Sequence, residues 1–204
     1  MQVCDIFGSL QGEGQHQGRP TTFIRLAGCN LRCAWCDTPE SQEEEAGKAM
    51  TVDAVLDRIW RMKCRNVCIT GGEPLLQMGE VVEACRRLHR MGYSVEIETN
   101  GTIDFRPVQP FAAICMDVKC PSSGQKSDLS LLQYTRDADS VKFVVADEDD
   151  LAFAEKVLTH CPARGEIFIS PVYGADERQI AAWVFDTGLP VRFQIQLHKY
   201  LEMK

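Results

Sequence analysis

Segments with a strand pattern alternate with segments with a helix pattern along most of this chain of 204 residues. The pattern predicts strands at residues 3–7, 22–27, 66–70, 93–99, 111–119, 140–145, 166–170 and 191–197. Helices are predicted to begin near Thr51, Asp147 and Asp176, and a further helix is predicted with Val81, Val82, Cys85 and Leu88 on one side and Gly92 as its stop. Because strands that alternate with helices form βα units, we expect an α/β fold with a mainly parallel sheet. No linker or repeat interrupts the pattern, so we expect one domain over residues 1–204.

Several of the predicted strands have one apolar and one polar side. Glu96 and Glu98 alternate with apolar residues in one strand, and Asp117 and Lys119 do so in the next. A sheet covered by helices on both faces shows continuous apolar runs instead. The alternation therefore predicts helices outside and a wet or ligand-filled cavity inside, as in a barrel that is open on one side. Edge strands with a solvated face are the alternative.

Charge and composition exclude some classes of partner. The net charge is −7, so no basic field favours nucleic acid or an anionic membrane surface. No apolar run has the length of a membrane span, and the N-terminus lacks a leader pattern. The ten cysteines are expected to be metal ligands or core residues in a reducing compartment, which predicts a cytoplasmic protein.

Three cysteines lie close together in one segment, as Cys29, Cys33 and Cys36. Three thiolates from a single segment can bind three irons of a 4Fe–4S cluster, and they leave the fourth iron open to a reactant. A zinc site is one alternative, but structural zinc usually takes four ligands and often includes His, which is absent beside this segment. Incidental buried cysteines are the other alternative.

The C-x3-C-x2-C spacing, with Trp35 before the last cysteine, resembles that of the radical S-adenosylmethionine (SAM) enzymes. The turn Gly71-Gly72-Glu73-Pro74 resembles the motif with which that family contacts the amino group of SAM, although alone it predicts only a turn. The resemblance implies a partial (β/α)6 barrel. It also implies a 4Fe–4S cluster whose open iron binds SAM, and cleavage of SAM to a radical that abstracts hydrogen from the substrate.

Further segments, at residues 9–14, 23–29, 36–38, 98–101 and 119–124, together resemble the 7-carboxy-7-deazaguanine synthases. This resemblance implies conversion of 6-carboxy-5,6,7,8-tetrahydropterin to 7-carboxy-7-deazaguanine, with loss of ammonia, in queuosine biosynthesis. A carboxylated pterin has an anionic end, which Arg25 can bind through paired donors, and a guanidine-like edge, from which Glu13 can accept. The full set of expected substrate contacts is Leu10, Gln11, Gly12, Glu13, Arg25, Thr99, His198 and Lys204.

The same resemblance implies residues for SAM and for Mg²⁺. The expected SAM contacts are Trp35, Cys36, Asp37, Gly72, Glu73, Gly101, Asp117, Val118 and Lys119, and Thr38 matches the position that ligates Mg²⁺. Asp117 and Val118 depart from the Ser-Pro pair of some relatives. Ordinary structural roles are the alternatives: an Arg25–Glu13 salt bridge, an Asp117–Lys119 pair, and simple turns at Thr38 and Gly101.

The resemblance also implies partners, namely a homodimer and an electron donor such as flavodoxin or ferredoxin. Two other functions remain open at this point. The chain could be a radical SAM activase that makes a glycyl radical on a partner protein, although the loop at residues 10–14 and Arg25 weigh against it. It could also be a non-catalytic zinc-binding module.

Overall fold

The computed structural model describes residues 1–203, and the order of its elements follows the predicted alternation of strands and helices. The strands are β1 (Gln2–Leu10), β2 (Pro20–Leu26), β3 (Lys48–Ala49), β4 (Asn66–Gly71), β5 (Ser94–Thr99), β6 (Ala113–Val118), β7 (Ser140–Val145), β8 (Glu166–Pro171) and β9 (Arg192–Phe193). The helices are α1 (Val52–Trp60), α2 (Met78–Arg90), α3 (Glu148–His160), α4 (Glu177–Asp186) and α5 (Leu197–Tyr200). Short 3₁₀ helices lie at Pro39–Ser41, Glu44–Ala46, Pro74–Gln77, Pro121–Ser123 and Leu129–Tyr134.

These strands form one sheet in the order β3-β1-β2-β4-β5-β6-β7-β8-β9. From β2 to β9 each neighbouring pair is parallel, whereas β1 is antiparallel to both β2 and β3. The sheet is open and does not close into a complete barrel. The predicted fold class, a mainly parallel α/β sheet open on one side, is therefore confirmed.

Side-chain caps fix the starts of three helices at residues that the sequence indicates. The Thr51 hydroxyl accepts a hydrogen bond from the backbone N–H of Ala54 (3.2 Å), and the Asp147 carboxylate accepts from that of Asp150 (3.0 Å). Asp176 caps α4 in the same way. The helices bury one apolar side against the sheet, through Val55, Leu56 and Ile59 of α1, Val81, Ala84, Cys85 and Leu88 of α2, Leu151, Ala154 and Val157 of α3, and Ile180 of α4.

The alternation within strands separates two faces of the sheet, as predicted. Ile114, Met116 and Val118 of β6 lie in the apolar core, whereas Cys115 and Asp117 of the same strand line a cavity on the opposite face. In β5 and β6 the polar face is therefore the inner face, which also holds Glu98 of β5, whereas β9 is an edge strand whose Arg192 is exposed, as the alternative expects.

Three local predictions are wrong in their bounds. Residues 8–10, expected to begin a glycine-rich loop, continue β1, because they pair with β2 as far as Pro20. The segment 37–50, expected to be a loop, contains two 3₁₀ helices and β3. Only two residues of the predicted strand 191–197 pair with β8, and the chain then turns into α5. Within residues 1–203, no helix combines the length and the apolar character that crossing a membrane requires.

Candidate active site

A cavity of about 520 Å³ opens where the parallel strands end. Its walls include the carboxyl ends of β4, β5, β6 and β7 and the loops that follow β1 and β2. Ligands of open α/β sheets bind at this edge because loops from neighbouring strands converge there. The volume is in the range of small-molecule sites.

The cysteine loop follows β2 and forms one wall of this cavity. Cys29, Cys33 and Cys36 all line it, and all three are half-buried and free of disulfides. The backbone N–H of Leu31 donates to Cys29 Sγ at 3.4 Å, and Asn100 Nδ2 lies 4.0 Å from the same sulfur. Burial raises the pKa of the Cys29 and Cys33 thiols, and the positive charge of Lys119 acts in the opposite direction.

Close backbone contacts hold the cysteine loop against the turn after β4. The backbone N–H of Glu73 donates to the carbonyl oxygen of Gly28 (2.8 Å), and the backbone N–H of Gly28 donates to the carbonyl oxygen of Ser41 (2.9 Å). A Cβ atom at Gly72 would lie 2.0 Å from the Gly28 carbonyl oxygen. Only glycine at residue 72 therefore permits this approach.

Glu73 is fully buried beside the cavity, and its carboxylate accepts three internal hydrogen bonds. The donors are the backbone N–H of Leu75 (3.0 Å), the hydroxyl of Thr99 (2.9 Å) and the backbone N–H of Asn100 (2.7 Å). Burial raises the pKa of Glu73 despite these donors. The side chain thus joins the turn after β4 to the end of β5.

Charged and aromatic groups lie next to the cysteines. Lys119 Nζ lies 2.9 Å from Asp117 Oδ2 and 5.4 Å from the centre of the Trp35 ring, whose Nε1 donates to Ser122 Oγ (3.0 Å). Trp35, Asp117 and Lys119 line the cavity. Val118 points into the apolar core instead, and Gly101 lies in the turn after β5, outside the lining.

Asp37 and Thr38 follow the last cysteine and also line the cavity. Asp37 Oδ2 lies 3.6 Å from His198 Nε2 and 3.5 Å from Lys199 Nζ. Burial alone would raise the pKa of Asp37, but the hydrogen bond from His198 and the charge of Lys199 outweigh it and lower that pKa well below the ordinary value. In the described chain the Thr38 hydroxyl does not cap the 3₁₀ helix that follows it.

A second wall is formed by Leu10, the last residue of β1, and by Gln11, Gly12 and Glu13 of the loop after β1. Gln11 Nε2 donates to Glu96 Oε2 and to Glu98 Oε1, both at 3.1 Å. A Cβ atom at Gly12 would lie 2.2 Å from His198 Nδ1, so α5 packs directly on this loop.

Glu13 and Arg25 do not form the salt bridge that the sequence left open. Glu13 Oε2 accepts from Lys142 Nζ at 2.5 Å, and Glu13 Oε1 accepts from Gln196 Nε2 at 3.0 Å. The Arg25 guanidinium lies 5.5 Å from the centre of the Phe7 ring. Among residues 1–203, Arg25 Nε and Asp117 Oδ1 are buried polar atoms without a hydrogen-bond partner.

Comparison with known proteins gives the family. Residues 23–114 match the model of the radical SAM superfamily. The 7-carboxy-7-deazaguanine synthase of Methanospirillum hungatei is 52% identical over 201 residues, which cover 98% of this chain and 85% of that protein. The 7-carboxy-7-deazaguanine synthase of Thermoplasma acidophilum is 37% identical over 205 residues, which cover 98% of this chain and 97% of that protein. The chain belongs to the 7-carboxy-7-deazaguanine synthase family.

A solved structure supports this family on fold as well. The crystal structure of QueE from Escherichia coli matches this chain with a TM-score of 0.80 at 26% identity, and the match covers 97% of this chain and 94% of that one. As a radical SAM member of the 7-carboxy-7-deazaguanine synthase family, the chain is an enzyme that uses a 4Fe–4S cluster and SAM. The predictions of family, enzyme class and these two cofactors are confirmed.

The cysteine loop of this synthase-family chain fits a cluster in its donor set and its setting. Cluster cysteines each bind a different iron, so they need not converge on one point. Among the described residues, no three His, Cys, Asp or Glu side chains are grouped as the ligands of a single metal ion. The three sulfurs instead line one cavity, with an N–H donor directed at Cys29.

Several residues that line the cavity were not predicted as site residues, and three of them bind Gln11 or Glu13 directly: Glu98, Lys142 and Gln196. Burial raises the pKa of Glu98, and the charge of Lys142 opposes that effect. Glu98 and Gln196 stand on the polar side of alternating segments, and Lys142 is the one charged residue of an apolar strand. Each of these two patterns could have predicted a residue that faces the cavity. Lys204, an expected substrate contact, lies outside the described residues.

Proposed function

We propose that this chain converts 6-carboxy-5,6,7,8-tetrahydropterin to 7-carboxy-7-deazaguanine with loss of ammonia, the reaction from which its family takes its name. The observation that carries the proposal is one shared cavity. The three cysteines line one wall, and Gln11, Gly12 and Glu13 of the loop after β1 line another. A substrate held by that loop would lie within the same enclosure as the cofactors.

The substrate wall has the chemistry that a carboxylated pterin requires. Arg25 supplies a guanidinium for the carboxylate, and its buried Nε has no partner among residues 1–203. Glu13, Gln11 and Glu98 present oxygen and amide groups to the donor-rich edge of the ring. Leu10 and Gly12 shape this wall, and His198 closes it through its contact with Gly12. Thr99 takes part through its hydrogen bond to Glu73.

The cofactor wall is assigned by the same reasoning. Cys29, Cys33 and Cys36 hold the 4Fe–4S cluster, which together with SAM supplies the radical that removes hydrogen from the substrate. The remaining proposed SAM contacts are Trp35, Asp37, Gly72, Glu73, Gly101, Asp117, Val118 and Lys119. Asp117, Lys119 and the Trp35 ring can orient SAM from the cavity lining. Val118 and Gly101 can contribute only backbone groups, since the Val118 side chain lies in the apolar core and Gly101 has no side chain.

Thr38 is proposed as a protein ligand of Mg²⁺. It lines the cavity, and its hydroxyl is not used to cap the following helix in the described chain. One hydroxyl binds Mg²⁺ weakly, so the substrate carboxylate and waters would complete the octahedron. Thr38→Ala should raise the Mg²⁺ concentration needed for half-maximal activity, whereas Thr38→Ser, which keeps the oxygen, should not. Equal Mg²⁺ dependence in all three proteins would exclude this role.

An anaerobic assay tests the reaction itself. The protein is reconstituted with iron and sulfide and supplied with reductant, SAM, Mg²⁺ and carboxytetrahydropterin, and the deazapurine is detected by mass spectrometry. Cys33→Ala should abolish cluster absorbance and product together. Cys64→Ala is the matched control, because Cys64 is half-buried but outside the cavity lining. An intact cluster without product would contradict the assigned reaction.

The partners expected from the resemblance also remain proposals. A homodimer, a flavodoxin or ferredoxin as electron donor, and a cytoplasmic location agree with a radical SAM enzyme that acts on a small molecule. Size-exclusion chromatography with light scattering tests the dimer. Replacement of a chemical reductant by reduced flavodoxin or ferredoxin in the assay tests the donor.

A further inference from the structure

Lys142 is a buried cation in an otherwise uncharged strand. All six residues of β7 are buried, and Lys142 is 5% exposed. Its neighbours Val141 and Phe143 belong to the buried core, whereas Lys142 lines the cavity from the opposite face of the sheet. A buried ammonium is costly unless anions pair with it, so its position implies a specific ionic partner.

The partner is Glu13. Lys142 Nζ lies 2.5 Å from Glu13 Oε2 and 3.8 Å from Asp117 Oδ2. Asp117 has a closer cation of its own, because Lys119 Nζ lies 2.9 Å from the same oxygen. Within the described part of the chain, Lys142 is the one cation in a salt bridge with Glu13. Burial alone would lower the pKa of Lys142, but the charges of Glu13 and Asp117 outweigh it and raise that pKa well above its ordinary value.

We propose that Lys142 is a positioning residue that fixes the Glu13 carboxylate as an oriented anion at the substrate wall of the cavity. Lys142 holds Oε2, while Gln196 donates to Oε1 from the chain segment before α5. The proposal rests on the proposed function, which assigns Glu13 to the pterin.

The physical reason is the exclusion of water from the cavity once a ligand fills it. A buried carboxylate oxygen that loses its counter-ion is costly to leave unpaired, so the Glu13 carboxylate would turn toward other partners and away from the pterin edge. The N–H groups of that edge would then lack their acceptor, which weakens binding. Lys142 prevents this change without itself having to contact the ring.

The test compares Lys142→Met, Lys142→Arg, Glu13→Gln and the double variant Lys142→Met/Glu13→Gln as reconstituted holoenzymes. Lys142→Met should raise the KM for carboxytetrahydropterin by about tenfold, while kcat and the KM for SAM change by less than about threefold. Lys142→Arg keeps the charge and should recover most of the affinity. Lys156→Met, at an exposed lysine outside the cavity, is the matched control.

The double variant keeps the proposal testable if Lys142→Met folds poorly, because it removes both charges of the pair and so leaves neither partner of the Lys142–Glu13 pair buried as a lone ion. If Lys142 acts through Glu13, the double variant should have the same KM as Glu13→Gln alone. A further tenfold rise, or an unchanged KM in Lys142→Met, would overturn the proposal. If the wild-type enzyme with an intact cluster formed no deazapurine, the proposed function would fail first and this inference with it.

Discussion

Glu73 offers the sharpest test of the energetics that hold the cavity together. Its buried carboxylate accepts from Leu75, Thr99 and Asn100, at 3.0, 2.9 and 2.7 Å. Two of these hydrogen bonds use Oε1 and one uses Oε2. Glu73→Ala removes the acceptor of all three donors. Glu73→Gln keeps one oxygen, and it places an amide donor against the N–H of Asn100.

Each buried donor left without an acceptor costs about 1–3 kcal/mol. Three such losses are partly offset in Glu73→Ala, because the buried charge is removed as well. We therefore expect Glu73→Ala to lower the free energy of unfolding by about 3 kcal/mol, and Glu73→Gln by about 1–2 kcal/mol. Since domains are stable by about 5–15 kcal/mol, either change is easily measured.

The assay is urea unfolding of the reduced, cluster-free protein, followed by circular dichroism. Glu83→Gln is the matched control, because among residues 1–203 Glu83 pairs only with Arg86, on the solvent side of α2, and its replacement should cost less than about 1 kcal/mol. If Glu73→Ala were within about 0.5 kcal/mol of the wild type, the buried hydrogen bonds would not stabilise the turn, and the reasoning would be refuted.

Three further predictions concern Gly12, Asp139 and the pH dependence of Glu73. Gly12→Ala should displace His198 and raise the substrate KM by about tenfold, whereas Gly8→Ala, where a Cβ meets open space, should change it less than about twofold. Asp139→Ala should lower the free energy of unfolding by about 3 kcal/mol in the same urea assay, because buried Asp139 accepts from two backbone N–H groups, an arginine and a glutamine. Folding raises the pKa of Glu73 above its ordinary value of 4.5. The stability of the wild type relative to Glu73→Gln should therefore be greatest below pH 4.5 and should decline as the pH rises through the pKa of Glu73 in the folded protein. A difference in stability that does not change with pH would contradict this shift.

The starts of the helices and the two faces of the strands could be predicted from the sequence, because both depend on residues that are neighbours in the chain. Helices begin at Thr51, Asp147 and Asp176 as predicted, and each of these side chains caps its helix, since a cap needs only the next three residues. The two faces of β6 are also a matter of alternation within one strand. That residues 1–204 form one domain stays a prediction, as do the individual roles of the site residues.

The last strand shows where local patterns fail. Residues 191–197 alternate like a strand, yet only Arg192 and Phe193 pair with β8. After Gln194, the backbone N–H of Leu197 donates to the carbonyl of Gly12 (3.0 Å), and the Gln194 side chain binds the backbone of Gly14. An edge strand has a neighbour on one side only, so contacts to the loop after β1 can draw the chain off the sheet and over the cavity.

The ion pairs of the cavity depended on register, which no local pattern contains. Asp117 of β6 and Lys142 of β7 are direct cross-strand neighbours, and so are Glu98 of β5 and Cys115 of β6. Alternation places each side chain on the inner face, but the crossover that joins two parallel strands decides which residues stand side by side. Glu13 was therefore assigned Arg25 as its possible partner from β2, whereas the folded chain gives it Lys142 from β7. The charge of the substrate wall is set by this distant pairing, so a shift of one residue between β6 and β7 would remove Lys142 from the cavity while leaving the sequence pattern of either strand unchanged.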